Sequence, residues 1–551
     1  MTSSSFVSML LVLLIASLAC AAPAAINGPT ATVDSGVVIG TQTSVPGSPN
    51  LVNQYLGVPF AASPTRFSPP QTPTPWSSPL QATQRGPACI QQFDYPEATR
   101  NFTIAAFNTP PPPESEDCLS LNIFVPAGSE SSTGSAKPVM FWIYGGALQF
   151  GYNGNAGYDG SSFAANQDVI LVATNYRTNA FGFPGALSLP PTQRNLGYLD
   201  QRFALQWVQR NIHAFGGDPN RVTIFGESAG AFSVDALVTS FSRSTKPPFQ
   251  AAIMESGQSS VTAQAANNGS SWAALISALN CSSSGYSSDL ECARAAPAST
   301  IKTIEERAAL SFIQSVDNLT YVAQPNRARA AGQLYPVPIL TGTNSNEGSL
   351  FTFSDTNTTA FLLGLGLPAS FISQIRAVYP LGSYTAGGNL ISSDTAQIEA
   401  LYTDLVFQCP CNIVTNTSVS ANIPTWRYFY NATFPSVQPV PGLNIADFGA
   451  YHSSEIPLVF GTYTTYPGTS SQQLARLSEY IQSSWATFAR NPAGGPGWAG
   501  AGTGYVHVLG GPNGFVSGGA GSSLFKASTT PALDDGRCAL WQPIYQLVNG
   551  A

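Results

Sequence analysis

Charge is scarce in this 551-residue chain: Asp, Glu, Lys and Arg make up 9% of it, against roughly 25% in an average soluble protein. The charge present leans acidic, with a net value of -7, and no run of Lys or Arg occurs. Nucleic acid is thereby excluded as a partner, because phosphate binding needs clustered cations. Histidine is rarer still, with three residues: His213, His452 and His507. No His/Cys spacing fits a zinc site, so no metal is expected. After the N-terminal stretch no apolar run is long enough to span a bilayer. The C-terminus has no hydrophobic tail of the kind that precedes a lipid anchor. A stable membrane anchor is therefore not expected.

Phe6 to Ala19 is apolar and is followed by small residues at Ala19, Cys20, Ala21 and Ala22. The stretch is short for a membrane span and ends in an A-x-A-like site. Residues 1–22 are expected to be a cleaved signal peptide, and 23–551 one large domain. N-x-S/T sequons occur at Asn101, Asn268, Asn280, Asn318, Asn357, Asn416 and Asn431. Together they predict a secreted, extracellular glycoprotein whose glycans supply the hydration that so few charges do not. Once Cys20 is removed, Cys89 and Cys118 bracket one loop and Cys281 and Cys292 a shorter one, and each pair is a candidate bridge in an oxidising compartment. Cys538 can join either Cys409 or Cys411, which are too close to each other to pair easily.

Ala31 to Gly40 reads as an early strand and hairpin. The prolines Pro110 to Pro113 mark an exposed loop, and the Ser/Gly-rich Gly128 to Ala136 a flexible turn. Five short apolar runs follow: Val139–Tyr144, Val169–Tyr176, Val222–Phe225, Ala251–Met254 and Val337–Thr341. Each has the length of a buried strand. Helical patterns such as Leu199–Ile212 lie between them. That alternation predicts an α/β fold with a large, mostly parallel twisted sheet flanked by helices. In such sheets the chemistry sits at the carboxyl ends of the strands.

Val222–Phe225 runs straight into Gly226-Glu227-Ser228-Ala229-Gly230, and Ala231–Thr239 reads as a helix. G-x-S-x-G between a strand and a helix is the setting of a nucleophile elbow, a sharp turn that lifts Ser228 above the sheet. Upstream, Phe141-Trp142-Ile143-Tyr144 ends in Gly145-Gly146-Ala147. Small residues there let backbone N–H groups approach a developing oxyanion. Gly146, Ala147 and Ala229 are the candidate donors.

Tyr144-Gly145-Gly146, Gly226–Gly230, Ser115-Glu116-Asp117-Cys118-Leu119, Asn175-Tyr176-Arg177 and Asp200–Val208 together resemble the type-B carboxylesterases and lipases. That α/β-hydrolase family includes fungal lipases and cholinesterases. The resemblance runs from about Val33 to about Pro543. One departure stands out: Ala147 occupies the place of the family's usual third glycine. Its N–H survives, but the methyl narrows the site against bulky acyl groups. Triad members are expected in the order Ser, Asp/Glu, His. His213 precedes the serine and reads as a helix end; His507 reads as a strand residue. His452 lies in a loop before Glu455-Ile456-Pro457 and Phe460-Gly461, a context like that of the family's catalytic histidine. Glu347, in Gly342–Gly348 after an apolar strand, resembles the family's catalytic glutamate.

The resemblance further implies bridges Cys89–Cys118, Cys281–Cys292 and Cys409–Cys538. It also implies buried ion pairs Arg66–Glu116 and Arg177–Asp200, and Ser256 as a hydrogen-bonding neighbour of the triad. The expected function is hydrolysis of lipophilic carboxylic esters through an acyl-enzyme, with no cofactor. In related fungal lipases the 89–118 loop is a lid, which makes a triacylglycerol or sterol-ester lipase the alternative. Phe93, Tyr95, Phe102 and Phe107 in that loop either cover the gorge, meet a lipid surface or pack the loop down. Its lack of Trp argues against choline esters. A non-catalytic binding protein of this fold is disfavoured by the intact triad candidates; amide or lactone hydrolysis is the third reading. An ordinary histidine base would place the acid limb of activity below about pH 6.

Overall fold

The computed structural model describes residues 28–129, 135–262, 266–283, 285–385, 388–434, 437, 448–466, 471–510, 525–528 and 535–549. The expected signal peptide lies outside the described residues, as does most of the expected turn at 128–136. The strands are β1 (Thr30–Val33), β2 (Gly36–Ile39), β3 (Thr41–Ser44), β4 (Leu51–Pro59), β5 (Leu80–Gln81), β6 (Ser120–Pro126) and β7 (Lys137–Ile143), followed by β8 (Ile170–Thr174), β9 (Gly217–Glu227), β10 (Ala251–Glu255), β11 (Ile339–Asn344), β12 (Thr425–Tyr430), β13 (Val506–Leu509) and β14 (Phe525–Ser528). The helices that bear on function are α1 (Glu97–Phe107), α2 (Leu196–Asn211), α3 (Ala229–Thr239), α4 (Ser270–Ala278), α5 (Ala298–Ala308) and α6 (Gln472–Arg490).

Eleven strands form one sheet in the order β14-β13-β12-β11-β10-β9-β7-β8-β6-β4-β3. From β13 to β8 every neighbouring pair is parallel; β14 at one end and β6, β4 and β3 at the other run antiparallel to their neighbours. Parallel strands need long crossovers, and these put helices on both faces. The sequence of the central strands follows from that burial: every residue from Val139 to Tyr144, and every residue of β8, β10 and β11, is buried. Each of the five apolar runs forms a strand of this sheet, and the early hairpin is β1–β2, paired antiparallel beside it.

Helix α6 shows how the flanking layer is held. Leu474, Leu477, Ile481, Trp485 and Phe488 recur at helical spacing and are all buried, while Trp142 of β7, Phe225 of β9 and Phe460 gather ring on ring beneath. Burial of each such side chain contributes roughly 1.5–3 kcal/mol. The helix also reaches the strand ends directly, since Trp485 Nε1 donates to Glu255 Oε1 at 2.8 Å.

Three disulfides close, joining Cys89 to Cys118, Cys281 to Cys292 and Cys409 to Cys538. Cys409 is thus the partner of Cys538. Cys411, two residues along the same helix, is buried with its Sγ 3.7 Å from Thr341 Oγ1. Of the two expected ion pairs, Arg177–Asp200 is buried, at 2.7 Å with side chains 5% and 0% exposed. Arg66–Glu116 forms at 2.5 Å, but its side chains are 12% and 31% exposed, so it is a half-open pair and not a buried one. The reason is its place: Arg66 spends Nη1 on the carbonyls of Ala293 and Ala296, at the rim where the disulfide loop meets the segment before α5.

The buried pair makes a stability prediction. Arg177→Met leaves Asp200 without its guanidinium partner inside the fold and is expected to cost about 3–5 kcal/mol. Arg210→Ala, which breaks the exposed Arg210–Asp34 pair, should cost about 1 kcal/mol or less. Chemical denaturation midpoints check both; equal losses would contradict the burial argument.

Candidate active site

The turn from β9 to α3 is where backbone strain concentrates. Ser228 sits there at φ 56° and ψ -124°, a region costing a non-glycine residue of order 1–3 kcal/mol. Close packing enforces the turn. A Cβ on Gly226 would fall 2.6 Å from Ile143 O, and one on Gly230 would fall closer still to the same oxygen. The Ser228 N–H donates to Glu255 O at 2.9 Å, which ties the turn to the end of β10. Ser228 is half-buried, while both residues beside it are buried.

The loop after β7 lies against this turn: a Cβ on Gly145 would meet Ser228 Cβ at 3.0 Å. Gly146, Ala147 and Leu148 then run through positive φ values of 105°, 56° and 60°. Ala147 therefore holds, with a methyl group, a conformation that suits glycine. Gln149 N–H and Phe150 N–H return to Gly146 O, and Asn179 N–H donates to Leu148 O, so the loop is pinned from below. Among the described residues the N–H groups of Gly146 and Ala147 have no acceptor. Ala229 opens α3 and carries the unsatisfied N–H of a helix start.

His452 is in a loop and 3% exposed. Its Nδ1 lies 2.6 Å from Glu347 Oε2. Glu347 follows β11, is fully buried, and takes the Asn344 N–H on its other oxygen at 2.7 Å. The His452 Nε2 makes no hydrogen bond among the described residues but stands 3.1 Å from Glu227 Oε1, an ion pair when the ring is protonated. Glu227 is the residue before Ser228, and Ser453, the residue after His452, donates Oγ–H to the same oxygen at 2.6 Å. The elbow and the histidine loop are thus stitched together by one carboxylate. Phe351 and Phe407 flank the imidazole, with ring centroids 5.1 and 4.6 Å away.

Electrostatics follow from this packing. Burial works to lower the His452 pKa, yet the carboxylates of Glu227 and Glu347 outweigh it and the net direction is upward from 6.5. Burial pushes Glu227 up, against the pull of His452 and the Ser453 hydroxyl. Glu255 is pushed up to about 8 by burial, against the Trp485 hydrogen bond and reinforced by Glu227. Glu455, buried nearby and bonded to Asn344 Nδ2, is held well above its ordinary value, first by burial and then by the other glutamates. Burial thus makes Glu255 and Glu455 harder to ionise, and His452 has more affinity for a proton than an exposed imidazole.

The structure brings Glu347 to His452, joins the His452 loop to the Ser228 turn through Glu227, and sets the Gly146–Ala147 loop beside Ser228. His213 lies exposed just past α2, and His507 is on β13 among Tyr480, Trp498 and Tyr505, as their contexts implied. Ser256 differs from expectation. It is buried at φ 53° and its N–H donates to Gly342 O, but its Oγ has no hydrogen-bond partner among the described residues. The sequence reading missed Glu227, Ser453, Phe351 and Phe407. The first carries a usable signal, being an acidic residue inside the elbow motif itself; the other three are brought in by long-range packing. Among the described residues no group of His, Cys, Asp and Glu side chains could hold a metal ion, and no helix is long and apolar enough to cross a membrane.

Comparison with known proteins gives the chain its relatives. The model of the carboxylesterase family matches residues 27–499. A para-nitrobenzyl esterase of Bacillus subtilis is 34% identical over 467 residues, covering 81% of this chain and 88% of its own. A human cocaine esterase is 33% identical, covering 84% and 83% of the two chains. A chlorogenic acid esterase of Aspergillus niger is 31% identical, covering 81% and 80%.

The charge arrangement has a direct test. The His452 ring, followed by NMR titration, is expected to take up its proton above pH 6.5. Glu227→Gln removes one of the two carboxylates and should move that midpoint down. A midpoint at or below 6.5 in the unaltered protein, or no movement in the variant, would contradict the assignment.

Proposed function

Since the chain belongs to the carboxylesterase family and is a serine hydrolase of carboxylic esters, we propose that Ser228, His452 and Glu347 form its catalytic triad. The observation that carries this reading is the His452 imidazole, held through Nδ1 by Glu347 while Nε2 is left without a hydrogen bond beside the Ser228 turn. Ser228 Oγ attacks the ester carbonyl and gives its proton to His452 Nε2. The oxygen that gains charge faces the N–H groups of Gly146, Ala147 and Ala229, which act as its donors. Glu347 keeps the proton on Nδ1 and stabilises the imidazolium that forms. The alcohol leaves with the proton from Nε2; water, deprotonated by the same nitrogen, then splits the acyl-enzyme and releases the acid. Glu227 adds a second negative charge 3.1 Å from Nε2, which favours the imidazolium. It therefore shifts the acid limb of activity upward from the pH 6 of an ordinary histidine.

Lipophilic esters are the substrates we infer. Phe351 and Phe353, the two rings that follow Glu347, are 44% and 43% exposed although they stand beside buried catalytic loops. Ala147 narrows the acyl side, so Ala147→Gly should raise kcat/KM for branched or bulky acyl groups relative to acetate. Secretion follows from residues 1–22 and the sequons, and fits a chain closed by three disulfides.

A lipase with a lid is the second reading, and one observation favours it. The 89–118 loop contains helix α1, which no proline in the run Pro110–Pro113 interrupts and which has no buried residue. Its Phe102, Ala105, Ala106 and Phe107 pack on Leu350, Phe448 and Tyr451. The helix therefore rests on the segments that follow Glu347 and precede His452. Phe93, by contrast, is 2% exposed and anchors the loop's base against Phe150.

Two experiments test these readings. Ser228→Ala should lower kcat by roughly 10³-fold or more without changing the unfolding midpoint; turnover close to the original would refute the nucleophile. Rates on p-nitrophenyl esters of rising chain length, with and without an oil interface, separate the substrates. A jump at the interface supports the lid, and a smooth preference that ignores the interface supports a soluble esterase.

A further inference from the structure

Helix α4 and the loop at Leu187 enclose a groove of about 520 Å³, outside the catalytic residues, lined by Leu187, Ser188, Gly269, Trp272, Ile276 and Asp289 among others. Its volume falls within the range of small-molecule sites. The walls have two characters. Leu187, which is 67% exposed, Trp272 and Ile276 are apolar. Asp289 is a polar node that takes the Trp272 Nε1–H at 2.7 Å and the Ser188 hydroxyl at 3.0 Å. A pyranose ring is amphipathic in the same way, with CH faces for apolar walls and hydroxyls for a carboxylate and serines.

A sugar has a point of attachment at the rim. Asn268, next to the lining residue Gly269, is exposed and begins the sequon Asn268-Gly269-Ser270. Its Oδ1 accepts the Ser270 N–H at 3.0 Å, and its Nδ2 has no partner among the described residues. A second sequon residue, Asn280, also lines the groove. We propose that an N-linked glycan on Asn268 folds back into this groove, its first sugars covering the exposed Leu187 and the half-buried Ile276 above the buried Trp272, and bonding to Ser188 and Asp289. In the attachment step the Nδ2–C1 bond forms, Nδ2 loses a proton, and the diphosphate of a lipid-linked oligosaccharide leaves. The proposal rests on the reading that the chain is secreted through a glycosylating compartment. It gives the glycan a packing role, covering an apolar patch that a charge-poor surface leaves open.

The test uses the full chain secreted from a glycosylating host. Glycopeptide mapping is expected to find Asn268 occupied. Ser270→Ala removes that sequon but keeps the backbone N–H; hydrogen exchange across Ser270–Ala278 should then rise roughly five-fold, the equivalent of about 1 kcal/mol of local stability. Thr103→Ala, which removes the Asn101 sequon, should leave that exchange unchanged. Enzymatic removal of the glycans from the folded protein should reproduce the rise, whatever the yield of the variant. Unchanged exchange in Ser270→Ala and after deglycosylation overturns the proposal. So does a bare Asn268 with other sequons occupied, which leaves the secretion reading intact. If every sequon is bare, that reading falls as well.

Discussion

Two carboxylates, from the ends of two different strands, converge on one imidazole. Glu347 after β11 and Glu227 at the end of β9 lie 2.6 and 3.1 Å from opposite nitrogens of His452. Everything that gives the site its shape is tied to this contact. The strand order β11-β10-β9 sets the spacing between the two acids. The strained turn at Ser228 is one residue from Glu227, and the histidine loop is fastened to the same acid through Ser453. A buried imidazole would ordinarily give up its proton more readily; here the carboxylates reverse that tendency.

The contact explains why the surroundings are built as they are. Four buried glutamates, at 227, 255, 347 and 455, crowd the strand ends, and they cannot all be charged in a low-dielectric interior. Trp485 gives a hydrogen bond to Glu255 and Asn344 gives one to Glu347 and one to Glu455, while burial raises the pKa of Glu255 and of Glu455. The aromatic pair Phe351 and Phe407 closes around the ring without adding a competing hydrogen bond. The acid side of the site is buried. It is open on the serine side, where Ser228 is the half-buried member.

Much of this was legible in the residues. The elbow was readable because strand, turn and helix are contiguous and each has a local signature: the apolar run to Phe225, the small residues around Ser228, and the periodic stretch to Thr239. His452 was readable because so few histidines compete with it, and Glu347 because it follows a strand. What escaped was long-range. No local pattern tells that Glu227 would face the histidine, since that depends on how a distant loop folds back. Phe407 lies on a helical segment far from both acids in sequence, and only the crossover geometry brings it to the ring. Helix α1 was hidden by the prolines that follow it, and the half-open Arg66–Glu116 pair by the fact that burial is set by neighbours and not by motif. The choice of Cys409 over Cys411 is likewise a matter of which side of one helix faces Cys538.

The central claim is that a single hydroxyl, at position 228, is made nucleophilic by the histidine that these acids hold. Covalent capture tests it most directly. The active protein treated with an alkyl phosphonate ester, then digested and mapped by mass spectrometry, is expected to carry one phosphonyl group, on Ser228, with activity lost in proportion. A His452→Ala variant is expected to remain unlabelled. Labelling of a different serine, or full labelling in the absence of His452, would contradict the account.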